Sequence, residues 1–189
     1  MGAAPILNLT VEQYLDYDDT ADCRSEFHGG EIFRMDDVSY NHALLEGRIL
    51  TALTNRLTDS PCNTLGGGVR VRVVGEEFVR PDVAVVCGAP VYANNQRAIT
   101  NLSLVVKILS PSTANYDYGG KFELYRQMDS LQEYALVSQT RVRVEVFRRT
   151  STGEWLLSSY NGMDAIVPFP SLSIDVPLAE LYRGIEGLA

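Results

Sequence analysis

The chain has 189 residues, 46% hydrophobic and 21% charged, a balance that suits one compact domain over residues 1–189 with a sizeable core. Sixteen Lys and Arg against 24 Asp and Glu leave a net charge of -8, which argues against coating of nucleic acid by bulk electrostatics and leaves only a local basic surface for that role. No apolar run reaches the roughly 18 residues that span a bilayer, and the N-terminus lacks the charged-then-apolar order of a secretory signal, so the expectation is a cytoplasmic protein with no membrane partner.

In chain order, Thr10 before Val-Glu-Gln-Tyr-Leu predicts a short capped helix, with Gln13 placed to close a capping box. Ser25-Glu26-Phe27 and Glu31-Ile32-Phe33-Arg34-Met35 read as hairpin strands around His28-Gly29-Gly30. From 39 to 58 the spacing of Ile49, Leu50, Leu53 and Leu57 predicts a helix with one inward face. Extended backwards, that face meets Glu46 and His42; they are either charge held in line with an apolar stripe or the solvated, frayed end of it.

After Gly66-Gly67-Gly68, Val69, Val71 and Val73 alternate as in a strand. The continuous apolar runs 83–87 and 104–106, with Ile108 and Leu109 beyond, predict strands buried on both faces. Helical spacing returns between 118 and 128, strands follow at 134–137 and 142–147, the second half exposed because Arg141, Arg143 and Glu145 alternate with valines. A last strand at 155–160 and a closing helix at 178–182 complete a mixed α/β order with antiparallel additions.

Cys23, Cys62 and Cys87 are widely separated and odd in number, which predicts small buried hydrophobes rather than a zinc knuckle, a redox pair or a disulfide framework. Two histidines, His28 and His42, cannot build a multi-histidine metal site from one chain. A metal here would be held mainly by oxygen, as magnesium and manganese are.

The informative charges lie in apolar surroundings. Asp82 follows Pro81 at the start of a buried strand and must be paired, protonated or bound to a cation. Lys107 interrupts the second apolar strand, and Lys121 sits on a helical face with Leu124 and Met128, preceded by Asp117 four positions earlier.

Glu26-Phe27-His28-Gly29-Gly30-Glu31, Asn41-His42 opening a long helix, Pro81-Asp82-Val83-Ala84-Val85-Val86, Leu104-Val105-Val106-Lys107-Ile108-Leu109-Ser110-Pro111-Ser112-Thr113 and Lys121-Phe122-Glu123-Leu124-Tyr125 together resemble the Uma2 family, abundant in cyanobacteria and similar to a branch of the PD-(D/E)XK nuclease superfamily. The resemblance spans nearly the whole chain. It implies a restriction-endonuclease-like core of mixed β-sheet flanked by helices, with an antiparallel N-terminal hairpin and C-terminal strand additions. It also implies phosphodiester hydrolysis: a Mg²⁺ or Mn²⁺ ion held by acidic oxygens polarises the scissile phosphate and activates water, while a Lys stabilises developing charge. Carried onto this chain, Asp82 and Glu46 would be the metal ligands and Lys121 the catalytic lysine. One position departs from the pattern. Family members place Glu in the Val-Val-Glu-Val-Leu-Ser-Pro-Ser strand where this chain has Lys107, and an ammonium beside Asp82 should lower magnesium affinity sharply, or else contact the phosphate itself.

Arg70, Arg72, Arg80, Arg141, Arg143, Arg148 and Arg149 could supply local positive potential, but each is more simply solvated surface. Tyr116, Tyr118 and Tyr125 could stack on bases, packing being the simpler role. Ser110, Ser112 and Thr113 read as loop and cap residues, with no base to form a triad. The expected functions are therefore a metal-dependent DNA endonuclease, a catalytically inactive nucleic-acid binder on the same scaffold, or a structural homodimer that uses its exposed strands.

Overall fold

A computed structural model describes residues 8–188; the reading of the first seven residues as free of a signal lies outside them. Thr10 caps α1 (Val11–Thr20) as expected: its hydroxyl accepts from Gln13 N at 3.3 Å, and Gln13 Oε1 accepts from Thr10 N at 2.9 Å. The helix buries Tyr14 and Leu15, and the Tyr14 ring stacks on Phe27 at 4.9 Å, which fixes α1 against the hairpin of β1 (Ser25–His28) and β2 (Glu31–Arg34). His28 pairs with Glu31 across the turn, whose Gly29 and Gly30 take φ of 56° and 84°. Only glycine adopts that conformation without steric cost.

The helix expected from 39 to 58 is α2 (Tyr40–Leu57), capped by Ser39, whose hydroxyl accepts from His42 N at 3.2 Å. Its buried face carries His42, Leu45, Ile49, Leu53 and Leu57, with Leu50 and Glu46 half-buried beside it. That face packs on a six-stranded sheet in the order β12 (Trp155–Asn161), β11 (Arg143–Arg149), β10 (Glu133–Ser138), β9 (Leu104–Leu109), β6 (Val83–Cys87) and β3 (Cys62–Gly66). Only β9 and β10 run parallel, so the sheet is mixed.

Both faces of the central strands are covered, as their unbroken apolar runs required. Val83, Val85, Val106 and Ile108 meet α2, while Ala84, Val86 and Val105 meet Tyr125, Tyr134 and a second sheet. Each fully buried valine side chain stabilises by about 1.5–3 kcal/mol. The second sheet also has six strands, in the order β2, β1, β5 (Phe78–Val79), β4 (Val71–Arg72), β8 (Ala98–Ile99) and β7 (Tyr92–Ala93). A hairpin of β13 (Ile166–Phe169) and β14 (Ile174–Pro177), followed by α5 (Leu178–Tyr182), closes the α2 side. Among the described residues no helix is long and apolar enough to cross a membrane.

Several expectations need correction. The alternating valines at 69–73 yield only the two-residue β4, whereas the polar run Cys62–Gly66 forms β3, because an edge strand needs a ladder partner more than an apolar pattern. The helical stretch expected between 118 and 128 instead runs from 114 to 125 and divides into α3 (Ala114–Tyr116), a π-helical turn (Asp117–Lys121) and α4 (Phe122–Tyr125). Glu145 is buried rather than solvated, enclosed by Tyr118, Arg143 and Ser159: Tyr118 OH, Arg143 and Ser159 Oγ all donate to it. Arg80 is also interior, donating to the carbonyls of Ser25 and Gly68 and to Asp18. Cys62 and Cys87 are joined by a disulfide, for they face each other across β3 and β6. Sequence spacing hides such a pairing, and only Cys23 remains free.

Candidate functional site

Pro81 and Asp82 lead into β6, and Asp82 N donates to Val106 O at 3.1 Å, which places the Asp82 carboxylate beside the next residues of β9. Its Oδ1 accepts from Lys107 Nζ at 2.8 Å and its Oδ2 from Ile108 N at 2.5 Å. His42 Nε2, from the first turn of α2, is 3.7 Å from the same Oδ2. Lys107 lies on the face of β9 opposite Val106 and Ile108, and its Nζ also donates to Arg80 O at 3.3 Å. Asp82 and Lys107 are 6% and 4% exposed, so each needs the other: either charge alone in this interior would be unstable.

Lys121 reaches the same space from the π-helical turn. Its Nζ is 3.0 Å from Glu26 Oε1 on β1 and 3.7 Å from Asp117 Oδ1. Arg80 N also donates to Glu26 Oε1, at 2.8 Å, and His28 Nε2 is 3.7 Å from Oε2. Burial alone would raise the Glu26 pKa, but the Lys121 ammonium, then His28, Lys107 and the Arg80 amide outweigh it and hold Glu26 down at about 2. For Asp117 the balance goes the other way. Burial raises its pKa despite Lys107, Lys121 and Thr113, and its Oδ1 has no hydrogen-bond partner. Burial lowers the Lys121 pKa less than Glu26 and Asp117 raise it, so the ammonium is kept charged.

Glu26, His42, Asp82, Lys107 and Lys121 thus line one cavity of about 1130 Å³, between the N-terminus of α2 and the Ser110–Thr113 loop. Three of the four residues singled out from the sequence meet there. Glu46 does not line it: one turn beyond His42 on α2, its Oε1 accepts from Gly67 N at 3.4 Å. Glu26 and Asp117 are the acidic partners that sequence reasoning did not assign. Glu26 had a legible signal, an acidic side chain between two residues of a strand that alternates with Phe27; Asp117 was visible only as the i-4 neighbour of Lys121.

The residues do not fit a divalent cation. Both Asp82 oxygens and Glu26 Oε1 already accept from N–H donors. Among the described residues no three His, Cys, Asp or Glu side chains are grouped to hold a metal ion. A dication about 4 Å from an ammonium meets a repulsion of roughly 8 kcal/mol at an effective dielectric of about 20, which cancels the pull of one carboxylate at that distance. Lys107 offsets Asp82 in this way, and Lys121 offsets Glu26.

A mixed sheet flanked by helices, with the Asp82–Lys107 ion pair buried between its central strands, defines an α/β protein. The chain belongs to the Uma2 family: the family model, described as "putative restriction endonuclease", matches residues 11–179. Two Synechocystis proteins, slr1290 and sll1609, both described as uncharacterized, are each 33% identical to it, over 97% and 88% of this chain and 96% and 95% of their own. The fold is similar to the crystal structure of "a putative nuclease belonging to DUF820" from Anabaena variabilis, with a TM-score of 0.74, 16% identity, and coverage of 92% of this chain and 97% of that one.

Proposed function

We propose that this chain is a nucleic-acid-binding protein of nuclease type, whose cavity receives a phosphate against Lys107 and Lys121 without a resident divalent cation. The observation that carries the reading is the Lys107 ammonium, held at 2.8 Å on Asp82, in the strand position where the Uma2 resemblance leads one to expect a metal-binding Glu. An ammonium has three N–H donors. Lys107 spends two, on Asp82 and on Arg80 O, so one is uncommitted among the described residues. An incoming phosphate oxygen can accept it, a charge-assisted bond that needs no metal.

The test measures DNA binding, cation binding and cleavage together. Labelled DNA should bind at low ionic strength in EDTA, and more weakly as salt is added. Titration calorimetry should show no Mn²⁺ binding to the native chain, but binding to Lys107→Glu, which sets a carboxylate beside Asp82 in place of the ammonium. Plasmid nicking by the native chain with Mg²⁺ or Mn²⁺ that disappears in Asp82→Ala would overturn the metal-free reading. It would favour a metal-dependent DNA endonuclease, the second reading, which the shared position of Asp82, Glu26 and Lys121 supports. Absence of DNA binding at low salt would remove both.

A further inference from the structure

The cavity holds a set of aromatic side chains that the packing of the protein does not use. Phe33, Tyr40 and Tyr116 all line it, all are exposed, and none belongs to the three hydrophobic clusters that form the core. Tyr40, the first residue of α2, is 76% exposed. The other two belong to a continuous ledge: the ring of His28 lies 5.5 Å from that of Phe33 on one side and 6.1 Å from that of Tyr116 on the other. Lys121 Nζ lies 5.8 Å from the centre of the Tyr116 ring, at the end of this ledge. Tyr116 is also seated: its ring occupies the space that a Cβ at residue 120 would need, so Gly120 is what lets the ring lie there.

A row of rings ending at an ammonium matches the spacing of chemistry in a nucleotide, an aromatic base joined to a phosphate. The surroundings decide which form of nucleic acid. A duplex presents charge about every 1.7 Å of its length, and tight duplex binders commonly use about 6–10 cationic contacts. The walls here offer three basic side chains, Arg34, Lys107 and Lys121, against five acidic ones, Glu26, Asp36, Asp37, Asp82 and Glu186. That wall disfavours a duplex backbone. In a duplex the π-faces of the bases are also covered by stacking on their neighbours, whereas an unpaired strand can lay its bases on Phe33, Tyr40 and Tyr116, with little dependence on base identity.

We infer that the cavity binds an unpaired, single-stranded nucleic-acid segment, its bases stacked on Phe33, Tyr40 and Tyr116 and a phosphate at Lys121 and Lys107. This inference rests on the phosphate-binding reading above and adds the form of the ligand. The test is fluorescence anisotropy on the full chain, in EDTA at low salt, with three labelled probes of equal length: an oligothymidylate of about 12 nucleotides, a site size within the range for single-strand binders, a duplex, and an abasic deoxyribose-phosphate strand. The oligothymidylate should bind about tenfold tighter than the abasic strand and more tightly than the duplex. Tyr40→Ala, on an exposed helix position that folding does not use, should weaken oligothymidylate binding by about fivefold or more and leave abasic-strand binding unchanged. Tyr116→Phe should keep the affinity that Tyr116→Leu loses. Duplex binding equal to or tighter than single-strand binding, or equal affinity for the abasic strand, overturns the inference while leaving the phosphate reading intact. Failure of all three probes to bind overturns both.

Discussion

The ammonium of Lys107 and the carboxylate of Asp82 meet at 2.8 Å between two strands that sequence reasoning had marked as buried. Removing two charges from water costs several kcal/mol per ion, and their mutual attraction returns this only when the remaining donors and acceptors are satisfied. Here they largely are: Ile108 N serves the second Asp82 oxygen, and Arg80 O accepts from Lys107. A well-packed apolar pair of the same volume is often as stable or more so, so the pair adds little net stability to the fold.

The pair can be broken from one side. Lys107→Met keeps the length of the side chain but leaves Asp82 without its cation, and the expected loss of stability is about 3–5 kcal/mol at neutral pH. Adding Asp82→Leu to Lys107→Met removes the stranded charge and should restore most of that loss. Urea denaturation of the native chain, the single variant and the double variant measures both steps. A single variant as stable as the native chain would show that solvent or His42 already compensates Asp82.

How far this centre could be read in advance depended on the range of the interaction concerned. Periodicity exposed α2, β6 and β9, because each repeats one local choice over many residues, and a charge inside such a run stands out, as Asp82 and Lys107 do. The Thr10 capping box and the hairpin at Gly29-Gly30 were legible for the same local reason. The strands β5, β7 and β8, with two residues each, carry no period to detect. The ion pair of Lys121 with Glu26 joins the π-helical turn to the first hairpin, and only the packing of the second sheet on the first brings them together. The same holds for Cys62 and Cys87, which are unremarkable in sequence and opposite each other in the ladder.

That disulfide gives a second expected outcome. Cys62 and Cys87 are separated by 25 positions, and closing a loop of such length restricts the unfolded chain enough to stabilise the fold by about 2–4 kcal/mol. Reduction, or the double substitution Cys62→Ser and Cys87→Ser, should lower the urea midpoint accordingly, with an unchanged dependence on denaturant in the native baseline. The edge strand β3 would remain paired to β6 through its backbone ladder, so the fold itself should survive. A midpoint that does not move between oxidising and reducing buffer would argue that the two sulfurs are not bonded in solution.

The Glu26–Lys121 pair makes stability depend on pH in a direction that can be worked out. Glu26 ionises at about 2 in the folded protein against an ordinary value of 4.5, so its carboxylate favours the folded state. That contribution is complete above the unfolded value, shrinks as the pH falls from about 5, and is gone below about 2; a difference of this size corresponds to about 3 kcal/mol. Asp117 acts in the opposite sense, since burial raises its pKa and protonation relieves it as the medium becomes acidic, so the native protein loses less on acidification than Glu26 alone would dictate. Comparison with Glu26→Gln isolates the carboxylate. The native chain should exceed the variant in unfolding free energy by about 3 kcal/mol at pH 7, by less than half of that at pH 3, and hardly at all near pH 2. An equal gap at pH 7 and pH 3 would mean that the Lys121 ammonium does not hold the Glu26 proton off, and that the two side chains are not paired in solution.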